Sequence, residues 1–155
     1  MSTATDADRK SSRELSITRV FDAPRALIFE IWTRPEHVKQ WWGPRGYTTM
    51  SCEMDVRPGG AWRVQSRHAD GSTTAERGVF REVVEPERLV FTHAWEDEGG
   101  RPGHETLVTV SFAEQDGKTR MTFHQAVFTS VEERDGHEQG WSESFDMLAE
   151  HLARA

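Results

Sequence analysis

Trp41-Trp42-Gly43-Pro44, with Gly46-Tyr47 just behind it, is the stretch of sequence that decides the fold of this chain. Each indole ring buries about 150–250 Å² of surface and carries an N–H group that needs an acceptor. Gly43 and Pro44 end any helix that reaches them, because proline holds the residue before it in extended conformations. The indole pair therefore lies where a helix turns into an extended segment. We interpret it as an aromatic lid over an opening, with a structural plug as the alternative.

The composition is that of a globular protein with one domain, over 13–155, preceded by a disordered tail, 1–12. The length of 155 residues suffices for a hydrophobic core, and no apolar run approaches the roughly 20 residues of a membrane span. A net charge of −7 argues against nucleic acid as a partner. The tail lacks the apolar stretch of a secretory signal. Because the single cysteine, Cys52, cannot form an internal disulfide, we predict a cytoplasmic location.

The first third of the chain predicts one strand followed by two short helices. The strand covers Leu15–Asp22, which is rich in β-branched residues. The apolar residues of 27–32 then recur at helical spacing until Pro35 breaks the helix. A second helix, Glu36–Gln40, leads into the tryptophan pair.

The rest of the chain predicts strands and one long final helix. Alternation of apolar and polar residues gives, together with Tyr47–Val56, about six or seven strands in all, and short connections favour antiparallel pairing. Asp116-Gly117 is a strong hairpin signal. The helix begins at Val131 or Gly136 and presents an apolar stripe that ends at Leu152. We predict an α+β fold in which a curved antiparallel sheet wraps around this helix.

A curved sheet that grips one helix leaves a space between them, where a ligand would bind. Strand alternation points His68, His93 and Gln125 inward among aromatic rings. Converging polar groups on apolar walls are typical of a site for a mostly apolar ligand; alternatively, these groups satisfy one another or face water. The predicted ligand contacts are Trp41 and Trp42 at the opening, and Trp62, Val64, His68, Phe91, His93, Trp95, Val110, Phe112, Phe123, Gln125, Trp141 and Phe145 along the walls.

The sequence contains no strong catalytic or metal-binding motif. It has no phosphate loop, dinucleotide fingerprint or nucleophile elbow. Its seven histidines include no HExxH pair, and one cysteine cannot form CxxC. We therefore predict no metal and no cofactor, and we favour a binding protein over an enzyme. An enzyme of the cyclase or hydrolase kind would use His93 or His68 as its acid–base group.

Five motifs in order carry a family resemblance. They are Thr18-Arg19-Val20-Phe21-Asp22-Ala23-Pro24, Pro35-Glu36 through Trp41-Trp42-Gly43-Pro44, Asp55-Val56-Arg57-Pro58-Gly59-Gly60, Glu82 through Glu85-Pro86-Glu87-Arg88-Leu89-Val90-Phe91-Thr92, and Gly140-Trp141. Over about residues 13–153, the set resembles the domain family named after the activator of the heat-shock protein 90 ATPase. The order of elements resembles the helix-grip fold of the START and birch-pollen-allergen superfamily.

The resemblance implies a helix-grip fold and two kinds of partner. The wider superfamily binds hydrophobic small molecules such as lipids, sterols and polyketides, and some of its members are cyclases or aromatases. In the co-chaperone that gives the family its name, such a domain helps to stimulate a chaperone ATPase. Three hypotheses follow: binding of a small hydrophobic ligand, interaction with a chaperone, or catalysis of the cyclase or hydrolase kind. We expect a monomer or weak dimer, as for relatives of this fold.

Overall fold

The computed structural model describes residues 13–154, and the predicted tail, 1–12, lies outside the described residues. Within that range the chain forms seven strands and three helices. The strands are β1 (Glu14–Phe21), β2 (Thr48–Met54), β3 (Ala61–Arg67), β4 (Thr73–Val84), β5 (Arg88–Trp95), β6 (Thr106–Gln115) and β7 (Lys118–Ala126). The helices are α1 (Arg25–Thr33), α2 (Pro35–Trp41) and α3 (Val131–Arg154).

The strands form one curved antiparallel sheet in the order β1-β7-β6-β5-β4-β3-β2. Each strand from β2 to β7 pairs with its neighbour in sequence, whereas β1 pairs with β7. Helices α1 and α2 carry the chain from the β1 edge of the sheet to the β2 edge. The predicted α+β helix-grip architecture, with two short helices after the first strand, is confirmed.

The predicted hairpin at Asp116-Gly117 is also confirmed. Both residues have positive φ, 51° and 80°, which a two-residue type I′ turn requires. The turn joins β6 to β7 and places Gln115 opposite Lys118. Its twist matches that of the strands, so the local sequence alone sets the register of this pair.

A close approach inside the sheet fixes the position of Trp62. Its cross-strand partner is Gly78, where a Cβ atom would collide with the carbonyl oxygen of Thr92 and with the indole nitrogen of Trp62. The indole crosses this glycine and donates to the Thr92 carbonyl at 3.1 Å. Trp62 is therefore held against the sheet and does not project into a hollow.

The space between the sheet and α3 is filled by Trp32, which α1 supplies. The ring is 2% exposed, and a void of about 10 Å³ beside it is too small for a ligand. Its ring centroid lies within 6.5 Å of the centroids of Trp41, Trp42, Phe91, Phe112, Phe123, Trp141 and Phe145. The structure thus differs from the expected hollow along the helix, because the helical spacing of 27–32 did not indicate how far this ring reaches.

Helix α3 packs on the sheet through the predicted apolar stripe, of which Trp141, Phe145 and Leu148 are buried. An ion pair between Arg19 of β1 and Asp146 joins the two elements at 2.8 Å. Because exposed ion pairs contribute at most about 1 kcal/mol, the stripe supplies most of the attachment. Among residues 13–154 no helix, α3 included, combines the length and the apolar character that crossing a bilayer requires.

We expect Trp32→Ala to lower the free energy of unfolding by about 3–5 kcal/mol, because it removes the largest ring from the centre of the core. The matched control is Trp95→Ala. Because Trp95 is 40% exposed, this variant should lose less than half as much free energy of unfolding. Urea unfolding at neutral pH measures both values. Equal losses in the two variants would show that Trp32 does not organise the core.

Candidate functional site

An open cleft of about 350 Å³ lies between the first half of α3, strands β4 and β5, and the loop 42–47. We call it the indole cleft, because Trp42, Trp95 and Trp141 contribute to its walls. Its volume falls within the range of small-molecule sites, roughly 300–1,000 Å³. The lining residues are Trp42, Gly43, Pro44, Tyr47, Glu76, Trp95, Glu132, Glu133, Gly136, His137, Gly140, Trp141 and Ser144.

Glu76 brings a buried carboxyl group to the wall of the cleft, with 7% of the residue exposed. Its Oε2 accepts a hydrogen bond from the indole of Trp42 at 2.9 Å. Its Oε1 lies 2.8 Å from Nε2 of His93. Burying a carboxylate is costly unless it is hydrogen-bonded, and these contacts meet that need. Because a carboxylate offers about four acceptor sites, Glu76 keeps acceptor capacity for a further donor.

His93 stands behind Glu76 and does not line the cleft. Its ring is 2% exposed, and its neighbours include the rings of Trp62, at 5.8 Å between centroids, and Trp141, at 6.4 Å. Alternation along β5 turns its ring to the face of the sheet opposite that of its buried neighbours Thr92 and Ala94. Its contact with the carboxyl group makes it a positioning residue for Glu76.

The other two indoles of the cleft also donate their N–H groups to fixed partners. Trp141 donates to Oε1 of Gln125 at 2.8 Å, and the amide of Gln125 donates onward to Oγ1 of Thr106 at 2.8 Å. Trp95 donates to Nε2 of His137 at 3.1 Å. With the bond to the carboxylate described above, each of the three indole N–H groups is used within the protein. The cleft thus presents indole surface whose polar edges are already occupied.

His137 is neutral at neutral pH. The pKa of its ring is lowered from 6.5 to about 4, chiefly by burial and also by the nearby His93, whereas Glu76 and Glu133 oppose the shift. Nε2 of the ring accepts from Trp95, so the proton of the neutral ring resides on Nδ1. Protonation of His137 would place an N–H group on Nε2, facing the N–H group of Trp95. The contact and the pKa therefore agree.

The described residues include no candidate metal cluster, and their one cysteine is not part of the cleft. No set of three or more His, Cys, Asp or Glu side chains within 13–154 is arranged to hold a metal ion. Burial raises the pKa of the Cys52 thiol to about 11, which keeps it protonated and unreactive at neutral pH. This thiol also lies outside the lining of the cleft.

The two tryptophans that were expected at the opening separate in the structure. Trp42 lines the indole cleft, whereas Trp41 points into the core, is 1% exposed and donates to the carbonyl of Ile31 at 3.1 Å. Trp41 is therefore a structural plug, and the pair does not form a lid. The reason is that α2 ends between them, which turns successive side chains in different directions.

Of the predicted wall residues, Trp95 and Trp141 line the indole cleft. His68 lies outside it, beside the ring of Tyr47 with 4.0 Å between centroids, and 2.9 Å from Oγ1 of Thr74. His93 and Gln125 lie behind the walls as hydrogen-bond partners. The others are buried in the packed core and do not line the cleft: Trp62, Val64, Phe91, Val110, Phe112, Phe123 and Phe145.

Sequence reasoning missed Glu76 and His137. Glu76, Gly78 and Phe80 alternate along β4, so period-2 spacing places the carboxyl group on the same face as the buried Phe80. His137 lies four residues before Trp141 in α3, on the same helix face. Both signals are present in the sequence, but each can be recognised only by comparison with a buried residue nearby: Phe80 for Glu76 and Trp141 for His137.

Fold and cleft together define the class: a helix-grip protein whose C-terminal helix forms one wall of a cleft of small-molecule size. Residues 22–153 match the sequence model of the Activator of Hsp90 ATPase homolog 1-like protein family, and the chain belongs to this family. No curated protein matches the chain.

Solved structures show the same fold. The crystal structure of the AHSA1 protein from Silicibacter pomeroyi is 27% identical, with a TM-score of 0.82 over 90% of this chain and 97% of that one. A protein from Arthrobacter aurescens, solved by NMR, is 26% identical, with a TM-score of 0.84 over 94% and 88%. The AHSA1-like protein from Aeromonas hydrophila is 20% identical over 91% and 92%, with a TM-score of 0.73, and shows the fold alone.

The lowered pKa of His137 predicts a loss of stability in mild acid. Between about pH 6.5 and 4 the unfolded chain binds a proton at this residue and the folded chain does not, so unfolding becomes easier as the pH falls. Below about pH 4 both states are protonated and the loss ends. At ~1.4 kcal/mol per pH unit the loss of stability approaches ~3 kcal/mol. Solvent screening of the half-buried ring makes this loss smaller.

The control is His137→Gln, which keeps an acceptor for Trp95 and removes the titrating ring. The difference in free energy of unfolding between this variant and the wild type isolates His137 from the carboxylates that titrate in the same range. Urea unfolding between pH 7 and pH 4 measures it. If the variant lost as much stability as the wild type, the buried neutral ring would not be the cause.

Proposed function

We propose that this protein binds a small, largely aromatic molecule in the indole cleft, with Trp42, Trp95 and Trp141 as its apolar contacts. The observation that supports the proposal is a pair of glycines in α3 that line the cleft without any packing need. The ligand is held by burial and released unchanged, so the protein acts as a receptor or carrier.

Gly136 and Gly140 lie four residues apart in α3, hence on one helix face, and both line the indole cleft. A Cβ atom at either position would have no heavy atom within 4 Å apart from the local helix backbone and adjacent residues. Glycine inside a helix costs about 1 kcal/mol relative to alanine. The helix therefore gives up stability at two positions where alanine would fit the fold. Leaving space in the cleft explains this choice.

Gly140 and its neighbour Trp141 have different surroundings. Trp141 does pack in the core, but open space faces Gly140. The glycine leaves room for the cleft and not for a strand.

The strength of binding follows from the area that the ligand can bury. Covering about 300 Å² of apolar ligand surface at roughly 25 cal/mol/Å² gives on the order of 7 kcal/mol before the costs of association. Because about 7 kcal/mol alone corresponds to a dissociation constant of about 10 μM and the costs of association reduce this free energy, we expect constants between about 10 μM and 1 mM. An aromatic ligand suits the site because indole rings form stacked and edge-to-face contacts.

Membership of the family favours a second candidate, in which the protein acts on a chaperone ATPase. The acid-rich surface of α3 would then meet a basic face of the chaperone. The ATPase rate of the host's own Hsp90-type chaperone, measured with and without this protein, decides the matter. A rate change that salt abolishes supports this candidate, and an unchanged rate excludes it.

We predict opposite effects of Gly140→Ala on stability and on binding. The variant should raise the free energy of unfolding by about 0.5–1 kcal/mol and weaken binding, because its methyl group enters the cleft. Gly140→Met should fill the cleft and abolish binding. Tryptophan fluorescence and NMR titrations with a panel of polyketides, flavonoids and lipids provide the binding readout, and thermal unfolding provides the stability.

The matched control is Gln139→Met, which adds the same side chain at the adjacent exposed position outside the cleft. It should leave ligand affinity unchanged. Binding by Gly140→Met as tight as that of the wild type would place the ligand elsewhere and overturn the proposal.

A further inference from the structure

We propose that the indole cleft selects an organic cation, namely an aromatic body joined to a quaternary or protonated amine. This inference rests on the proposed function and names the chemical class of its ligand. It is argued from the charges that line the cleft, from the position of Glu76 and from the surfaces that the indoles present.

The fixed charges of the cleft all have one sign. Glu76, Glu132 and Glu133 line it, whereas no Lys or Arg of residues 13–154 does so. The remaining titratable ring there, His137, is neutral at neutral pH. Low-dielectric walls strengthen the field of charges that line a cleft. His93 contacts Glu76 from behind the wall, and Glu132 and Glu133 add two further carboxylates to the lining. The lining therefore repels an anion and favours a cation.

Two of these carboxylates have a role in the helix, and the third does not. Glu132 and Glu133 lie in the first turn of α3, where negative charge is favourable, and Glu133 also accepts from the hydroxyl of Thr129. Glu76 lies in the middle of a strand, buried among rings. Trp42 and His93 occupy two of its acceptor sites. The acceptor capacity that remains can receive a cationic ligand.

The indoles present the surface that a cation prefers. Their N–H groups are held by Glu76, His137 and Gln125, so they are not available to an anionic ligand. Trp42 and Trp141 pack edge-to-face on each other, at 83° with 5.0 Å between ring centroids, and each is 6% exposed, whereas Trp95 is 40% exposed. Faces of indole rings attract ammonium groups more strongly than those of other side chains do. The exposed ring of Trp95 and the buried carboxylate of Glu76 both line the cleft, and together they match a quaternary or protonated amine.

Three probes of matched shape test the inference. They are naphthylmethyl-trimethylammonium, its neutral isostere neopentylnaphthalene, and naphthylacetate as the anion. We expect the cation to bind about ten times more tightly than the neutral probe, and the anion to bind most weakly. Affinities come from calorimetry and tryptophan fluorescence with the full chain at neutral pH.

The decisive variant is Glu76→Gln, which is isosteric and keeps an acceptor for Trp42. It should bring the affinity for the cation to within about threefold of the affinity that the same variant has for the neutral probe. Glu114→Gln, on the exposed end of β6, changes the net charge equally and should preserve the preference. Thermal unfolding checks that both variants fold. If Glu76→Gln does not fold, the ratio of cation to neutral-probe affinity in the wild type tests the inference.

The outcomes separate the two proposals. If the wild type binds the neutral probe as tightly as the cation, the charge selection is wrong and the proposed function stands. If Glu76→Gln folds and retains the full preference, Glu76 does not provide the selection and the inference fails. If no probe binds at millimolar concentration, both the proposed function and the inference fail.

Discussion

The position of Trp32 between the sheet and α3 is the constraint on which the rest of the structure depends. A curved sheet and a single helix do not close a core by themselves, and this ring fills the space that they leave. Among the described residues its indole N–H has no acceptor, which costs about 1–3 kcal/mol. Burial of the ring and its contacts with surrounding aromatic residues outweigh that cost.

Because the centre is full, any ligand site is displaced toward the first half of α3. The helix leaves the packed core there, and its face carries glycines and a histidine in place of bulky apolar residues. Strand β4 supplies the buried carboxyl group of the cleft, and β5 supplies the histidine that orients it. The cleft thus lies where the packed core meets the first half of α3, which carries few bulky side chains on this face.

The sequence predicts the fold closely, because each element has its own local signal. Periodicity marks the helices, alternation marks the strands, and Asp116-Gly117 marks the hairpin between β6 and β7. The site is predicted less well, because its position depends on how far side chains reach across the core. Alternation correctly turned Phe123 inward, but it could not show that Trp32 already occupies the space in front of it. Glu76 escaped notice because its significance depends on its partners, Trp42 and His93.

The glycines of α3 have a consequence for motion as well as for volume. Residues 131–140 bury little apolar surface, whereas Trp141, Phe145 and Leu148 anchor the following turns. Local opening is least costly where few buried contacts hold the backbone, so amide protons in the first turns should exchange with solvent well before those around Phe145. One wall of the binding region is then a helix segment that can fray while its anchor stays in place. Under the proposed function, transient unwinding of this wall would admit the ligand without a hinge between rigid bodies.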